Sequence, residues 1–162
     1  MKELKTYISE AFKINKNTKL ESRYKYFPET KEELKAIIEQ RIKSKGNTCD
    51  LNDIDVSKIT NMSELFYKMK EFNGDISDWD VSNVKNMSGM FFRSNFNGDI
   101  SEWDVSKVEY MNFMFSESDF RGDISNWNVS DECEVYGMIN KNFYVKNPNL
   151  APSGVLERMN LI

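Results

Sequence analysis

The chain has 162 residues, 40% of them apolar and 13% aromatic, enough to bury the core of one domain and too apolar for a disordered chain. A formal net charge of −4, from 26 acidic and 22 basic residues, gives no electrostatic footprint for nucleic acid. The absence of histidine removes the usual general base, the commonest metal ligand and every Ser-His or Cys-His pair, so an enzyme would have to rest on carboxylates, lysines or a metal held by oxygen alone; neither an enzyme nor a cofactor is the expectation.

In chain order, Lys2, Glu3, Lys5, Glu10 and Lys13 interrupt the opening residues, leaving no apolar stretch of signal-peptide or membrane-span length. Residues 2–14 read as an amphipathic helix with Leu4, Tyr7, Ile8, Phe12 and Ile14 on one face. It is either an ordinary first helix or a docking tag that would bury Tyr7, Ile8 and Phe12 against another protein. A second helix is expected over 31–45. Thr30 and Glu33 form a capping box, Leu34, Ile37, Ile38 and Ile42 make a stripe, and Gly46 stops it. Such a helix would cover the first repeat.

The middle of the chain is periodic. "FNGDISDWDVSNVKNMSGMF" at 72–91 returns as "FNGDISEWDVSKVEYMNFMF" at 96–115 and in part as "FRGDISNWNVS" from 120. Gly74, Asp75, Ile76, Trp79, Val81 and Met90 each recur at a spacing of 24 residues. A degenerate copy precedes them, with Leu51, Ile54, Val56, Ile59, Met62, Leu65 and Phe66 at an offset of 25. A period in this range signals units that become stable only by packing on their neighbours. Within a unit, Ile76, Trp79, Val81, Val84 and Met87 match leucine-rich-repeat spacing. Trp79 and Val81 would face inward from a short strand with Asp80 outward. Val84, Met87, Met90 and Phe91 would form one face of a short helix capped by Ser82 or Asn83, and Asn73-Gly74 would turn the chain into the next coil. The expected fold is therefore an α/β repeat: a short right-handed leucine-rich-repeat-like solenoid of about four coils, one short strand plus one short helix per coil, with an α-helical N-terminal cap. Its segments are a helical part at 1–46, the coils at 47–139 and a C-terminal cap and tail at 140–162. In the last, Phe143, Tyr144 and Leu150 would cover the final coil, and 155–162 form a terminal helix or a loose tail. Cys49 and Cys133 have no metal-type spacing and read as free thiols.

The repeat string, over roughly residues 50–139, resembles the BspA-like leucine-rich repeat family of bacterial proteins, with Gly74, Asp75, Trp79, Asp80, Val81, Met87, Met90 and Phe91 at the family's positions. The resemblance implies a protein that acts by binding other molecules, with no catalytic residues in the repeat. The opening "LKTYISEAFKINKNTK", with "YKYFPETKEELKAIIEQRI", resembles a leader on proteins of gut bacteriophages. That likeness implies a virion-associated chain, while the free thiols and the charged opening residues lead to the expectation of a cytoplasmic one.

Three groups of side chains stand out as candidate sites. Asp55, Asp80, Asp104 and Asn128 would form an outward column spaced about 4.8 Å apart, with Asp53, Asp78, Glu102 and Asn126 beside it. Stacked like charges suit a cation or a basic partner; the plainer alternative is that each Asp accepts hydrogen bonds from its own turn, and that alternative is preferred. Asp75, Asp99 and Asp123 follow glycine and read as turn residues. Trp79, Trp103 and Trp127 would make a sugar platform if exposed, but read as core. Phe92, Arg93, Tyr110 and Phe113 break the polar pattern beside the core and mark a candidate contact surface. The expected function is a non-enzymatic protein-protein interaction module; the alternative is a bacteriophage or prophage accessory protein docked through its first helix. The expected partner is another protein, with no nucleic acid and no membrane span.

Overall fold

A computed structural model describes residues 23–161. The helix read at 2–14, with Tyr7, Ile8 and Phe12, lies outside them.

Inside the repeats, two apolar residues spaced three apart bracket a turn. The N–H of Trp79 donates to the carbonyl of Ile76 at 3.2 Å, that of Val84 to Val81 at 2.9 Å, and that of Met90 to Met87 at 3.1 Å. The following repeat does the same at Ile100–Trp103, Val105–Val108 and Met111–Met114. Closing a four-residue turn with an i to i+3 bond puts both bracketing side chains on its concave side, and all of these are buried. The residue before each turn sets it up. The side-chain oxygen of Asp75 accepts from the N–H of Ser77 at 3.0 Å, that of Asp80 from Ser82 at 3.1 Å, and that of Asn86 from Ser88 at 2.9 Å. These are Asx turns, in which a short carboxylate or amide side chain takes a backbone donor two residues on.

The expected α/β solenoid of strand-plus-helix coils is thereby overturned. Among the described residues there is no sheet and no strand, only isolated parallel bridges, and the helices lie outside the repeats. Residues 78–81 do not extend as a strand, because Asx turns starting at Asp75 and Asp80 bend the chain on both sides of Trp79. Residues 84–93 do not form a helix, because Gly89 and Arg93 have φ of 62° and 56°. Glu64 and Lys68 in the preceding repeat, and Phe113 and Glu117 in the following one, share that left-handed geometry, at 57°, 58°, 57° and 52°. A left-handed residue at every fourth position is incompatible with an α-helix.

What the left-handed residues permit is hydrogen bonding from one repeat to the next. The N–H groups of Met87, Gly89, Phe91 and Arg93 donate to the carbonyls of Tyr110, Asn112, Met114 and Ser116 at 2.8, 2.8, 2.9 and 3.1 Å. Met62, Glu64, Phe66 and Lys68 donate likewise to Asn86, Ser88, Met90 and Phe92, and Met111, Phe113 and Phe115 to Glu134, Tyr136 and Met138. Return bonds run from Lys85 to Thr60, Glu109 to Lys85 and Glu134 to Glu109. Parallel bridges join Asn61 to Asn86, Asn86 to Tyr110, and Tyr110 to Glu134.

The core repeats with the backbone. Phe66, Phe91 and Phe115 stack with centroids 5.3 and 5.5 Å apart, and Phe72, Phe96 and Phe120 form a second column at 6.1 and 6.3 Å. All six rings are buried, each contributing about 1.5–3 kcal/mol by leaving water. The rings explain the glycine in "FNG" and "FRG": a Cβ at Gly98 would lie 2.8 Å from the Phe96 ring, and one at Gly122 would lie 2.5 Å from that of Phe120. Each indole N–H reaches back one repeat, Trp79 to the carbonyl of Leu51, Trp103 to Ile76 and Trp127 to Ile100, at 3.0, 3.2 and 3.0 Å. Trp103 and Trp127 lie parallel, 6.4 Å apart.

At the N-terminal end, helix α1 (Lys31–Lys45) buries Leu34, Ile37 and Ile38. Thr30 Oγ1 accepts from the N–H of Glu33 at 3.2 Å, while the Glu33 carboxylate reaches the N–H of Glu29 rather than that of Thr30. Gly46 ends the helix with φ 89°. At the other end lie α2 (Lys141–Tyr144), a 3-10 turn at Pro148–Leu150 and α3 (Val155–Arg158). Tyr144 is buried with its hydroxyl donating to the carbonyl of Gly122 at 2.7 Å, and Ile124 N–H donates to Leu150. No helix among the described residues is long and apolar enough to cross a membrane.

Candidate functional site

The first candidate, the Asp column, is held by its own turns. Asp55, Asp80 and Asp104 each take both the N–H and the hydroxyl of the serine two residues on, at 3.0 and 2.6 Å, 3.1 and 2.7 Å, and 3.1 and 2.6 Å. Hydrogen bonds from Ser106 hold the Asp104 carboxyl below its ordinary range, and those from Ser77, Ser101 and Ser125 do the same for Asp75, Asp99 and Asp123. In the neighbouring column, Asp53 pairs with Arg41 at 3.2 Å and Lys25 at 3.4 Å, and Asp78 with Arg23 at 2.8 Å. Among the described residues, no three His, Cys, Asp or Glu side chains gather as a metal-binding set. The two thiols are free and buried, and burial pushes that of Cys133 up to about 11.

The second candidate is the aromatic group, which the structure divides. Phe92 and Phe113 meet edge to face at 6.4 Å. Tyr110, 41% exposed, sits apart beside Lys107, Glu109 and Glu132 around a separate hollow of about 340 Å³. Its backbone bridges Asn86 and Glu134, so it belongs to the edge of the repeat and not to the turn that carries Phe113. Two rings that sequence reading missed complete the strip: Tyr67 stacks on Phe92 at 5.7 Å and 6°, and Tyr136 stands edge-on to Phe113 at 5.1 Å and 85°. The spacing of 25 between Tyr67 and Phe92 was the available signal for the first. Tyr136 is displaced one position from the repeat column of Phe113, which hid it.

The strip Tyr67–Phe92–Phe113–Tyr136 therefore runs across the repeats on their outer side. Phe113 is 43% and Tyr136 74% exposed. Its shape comes from the left-handed column: Gly89 and Gly137 supply bare backbone, and the Phe113 ring lies against Gly137, where a Cβ would come within 2.8 Å of it. Phe113 itself holds φ 57°, a conformation unfavourable for a bulky side chain by about 1–2 kcal/mol. A hollow of about 430 Å³ is lined by Tyr67, Phe92 and Phe113 together with Gly89, Glu64 and Glu117. Arg93 pairs with Glu117 through two hydrogen bonds, at 2.8 and 3.1 Å, and lies 5.0 Å over the Phe92 ring. That pairing holds the Glu117 carboxyl below its usual range. The arrangement offers aromatic faces, a fixed ion pair and no nucleophile-base pair.

No curated protein and no solved structure matches the chain. A family model described as "Mycoplasma protein of unknown function, DUF285" matches residues 32–150, which takes in all but the first residue of α1, all the repeats and the 3-10 turn. The chain belongs to that family.

Proposed function

We propose that this protein is a non-enzymatic interaction module that binds another protein through the strip Tyr67–Phe92–Phe113–Tyr136. The observation that carries the reading is Phe113, a large apolar side chain kept exposed and left-handed at a turn position where two other repeats have glycine. A ring in that position costs backbone strain and hydration, and neither is needed to close the turn, since Gly89 and Gly137 close it without one. Exposed, mutually packed aromatic rings beside an arginine are the usual composition of binding hot spots. The likeness of the repeat to BspA-like proteins, which mostly act by binding, supports the same reading. The docking role of Tyr7, Ile8 and Phe12 rests on the likeness to bacteriophage leaders alone.

The test is a displayed-peptide selection on the whole chain, with Phe113→Gly as counter-target. Sequences that bind the parent and not the variant are expected. If every enriched sequence binds both equally, the strip is not the contact surface.

A further inference from the structure

The repeat-to-repeat bonding pattern has a direction, and it ends unpaired. Each repeat donates alternate amides to the next one along: Met87, Gly89 and Phe91 to the third repeat, and Met111, Phe113 and Phe115 to the fourth. The equivalent donors of the fourth repeat are Val135, Gly137 and Ile139. Among the described residues no acceptor faces them. The C-terminal segment covers other parts of this end. Leu150 accepts from Ile124, and Arg158 occupies the carbonyls of Ser130 and Cys133, the second being where a following repeat would return its bond. A cavity of about 810 Å³ lies at this end, with Val135, Tyr136, Gly137, Ile139, Arg158 and Met159 in its lining. A row of amides on alternate residues without acceptors is open to backbone pairing with another chain.

We infer that this edge takes a peptide of a partner protein that adopts the turn conformation of the repeats, running parallel to Val135–Ile139 and supplying three alternate carbonyls to the N–H groups of Val135, Gly137 and Ile139. The edge continues an interface the molecule already forms three times, so its register is set in advance: Glu134, Tyr136 and Met138 present the same carbonyl spacing to the third repeat. A second copy of the chain does not fit as the occupant. The acceptor edge it would offer is that of its first repeat, where Ser63 O already accepts from Lys31 Nζ at 3.4 Å and α1 buries Leu34, Ile37 and Ile38 against the core. Docking would require α1 to lift away. This edge adjoins the aromatic strip at Tyr136, but it binds through backbone amides and does not depend on the rings of the strip.

The test uses the whole chain, isotopically labelled, and the blocked heptapeptide EVYGMIN, which copies residues 134–140. In the free protein the amides of Val135, Gly137 and Ile139 should exchange with solvent faster than those of Met111, Phe113 and Phe115. Adding the peptide should shift and slow those three amides, and a scrambled peptide should not. Three amides already as protected as their counterparts in the free protein would overturn the inference, whether the chain itself or a second copy covers them. So would peptide-induced shifts confined to Tyr67 and Phe92, which would instead belong to the aromatic strip.

Discussion

The indole N–H of Trp103 donates to the carbonyl oxygen of Ile76 at 3.2 Å, reaching from one repeat into the one before it, and the ring that makes the bond is only 4% exposed. A buried donor so placed links the folding of one unit to the presence of the other. Phenylalanine at this position keeps most of the apolar surface and removes the donor, leaving the Ile76 carbonyl without it. Trp103→Phe is expected to lower unfolding free energy by about 2 kcal/mol in urea titration. A change below about 0.5 kcal/mol would mean that the bond contributes nothing to the joint between repeats.

The Asp column separates turn chemistry from charge. Asp55 accepts from both the N–H and the hydroxyl of Ser57. An amide oxygen can accept the N–H in the same way, as Asn86 does from Ser88 at 2.9 Å. Asp55→Asn should therefore leave stability nearly unchanged, while Asp55→Ala should cost about 1 kcal/mol. Equal losses in the two variants, measured by denaturant midpoint, would show that the charge and not the turn is what matters.

Acid should unfold the protein through the same turns. Serine hydrogen bonds lower the carboxyls of Asp75, Asp99, Asp104 and Asp123 in the folded state. Their contribution is complete above the unfolded value of about 4 and is lost as pH falls through the lower folded values. With no histidine in the chain, stability should be flat between about pH 5 and 8 and decline below about pH 4. Ser106→Ala should raise the Asp104 carboxyl, read by NMR titration, and shrink the acid-side decline. A Ser106→Ala titration identical to the parent would contradict the assignment.

Phe113 is where stability and binding should part. Glycine there relieves the left-handed strain and removes the contacts with Phe92 and Tyr136. Stability of Phe113→Gly should lie within about 1 kcal/mol of the parent. Peptides selected on the parent should lose at least tenfold in affinity, on the order of 1.4 kcal/mol. A variant that unfolds would show the ring to be structural.

Much of the burial pattern was legible in the sequence. Trp79, Trp103 and Trp127 lie inside as expected, and so do Met87, Met90, Met111, Met114 and Met138, because a recurring large apolar residue has to be covered by its neighbours. The local structure was not legible in the same way. A spacing of three fits a leucine-rich repeat, one face of a helix and the two ends of a turn equally well. The feature that decides between them, Asp or Asn two residues before Ser, stands at Asp75, Asp80 and Asn86, and was read as a turn signal only for the aspartates. The left-handed column was hidden further, since Glu64, Arg93, Phe113 and Glu117 occupy it without being glycine. Phe92 and Phe113 stand out in the sequence as breaks in a polar pattern. Tyr110 falls in the same group there because a pattern of period 24 does not say which side of the turn a residue faces.

Scalar coupling across the hydrogen bonds is the most direct check on how the repeats are joined. Coupling should be seen between the amide nitrogen of Met87 and the carbonyl carbon of Tyr110, between Phe91 and Met114, and between Met111 and Glu134, partners 2.8, 2.9 and 2.8 Å apart. Couplings that instead connect Phe91 to Met87 and Phe115 to Met111, four residues back along the chain, would mean that these segments are helical and that the repeats are not bonded edge to edge.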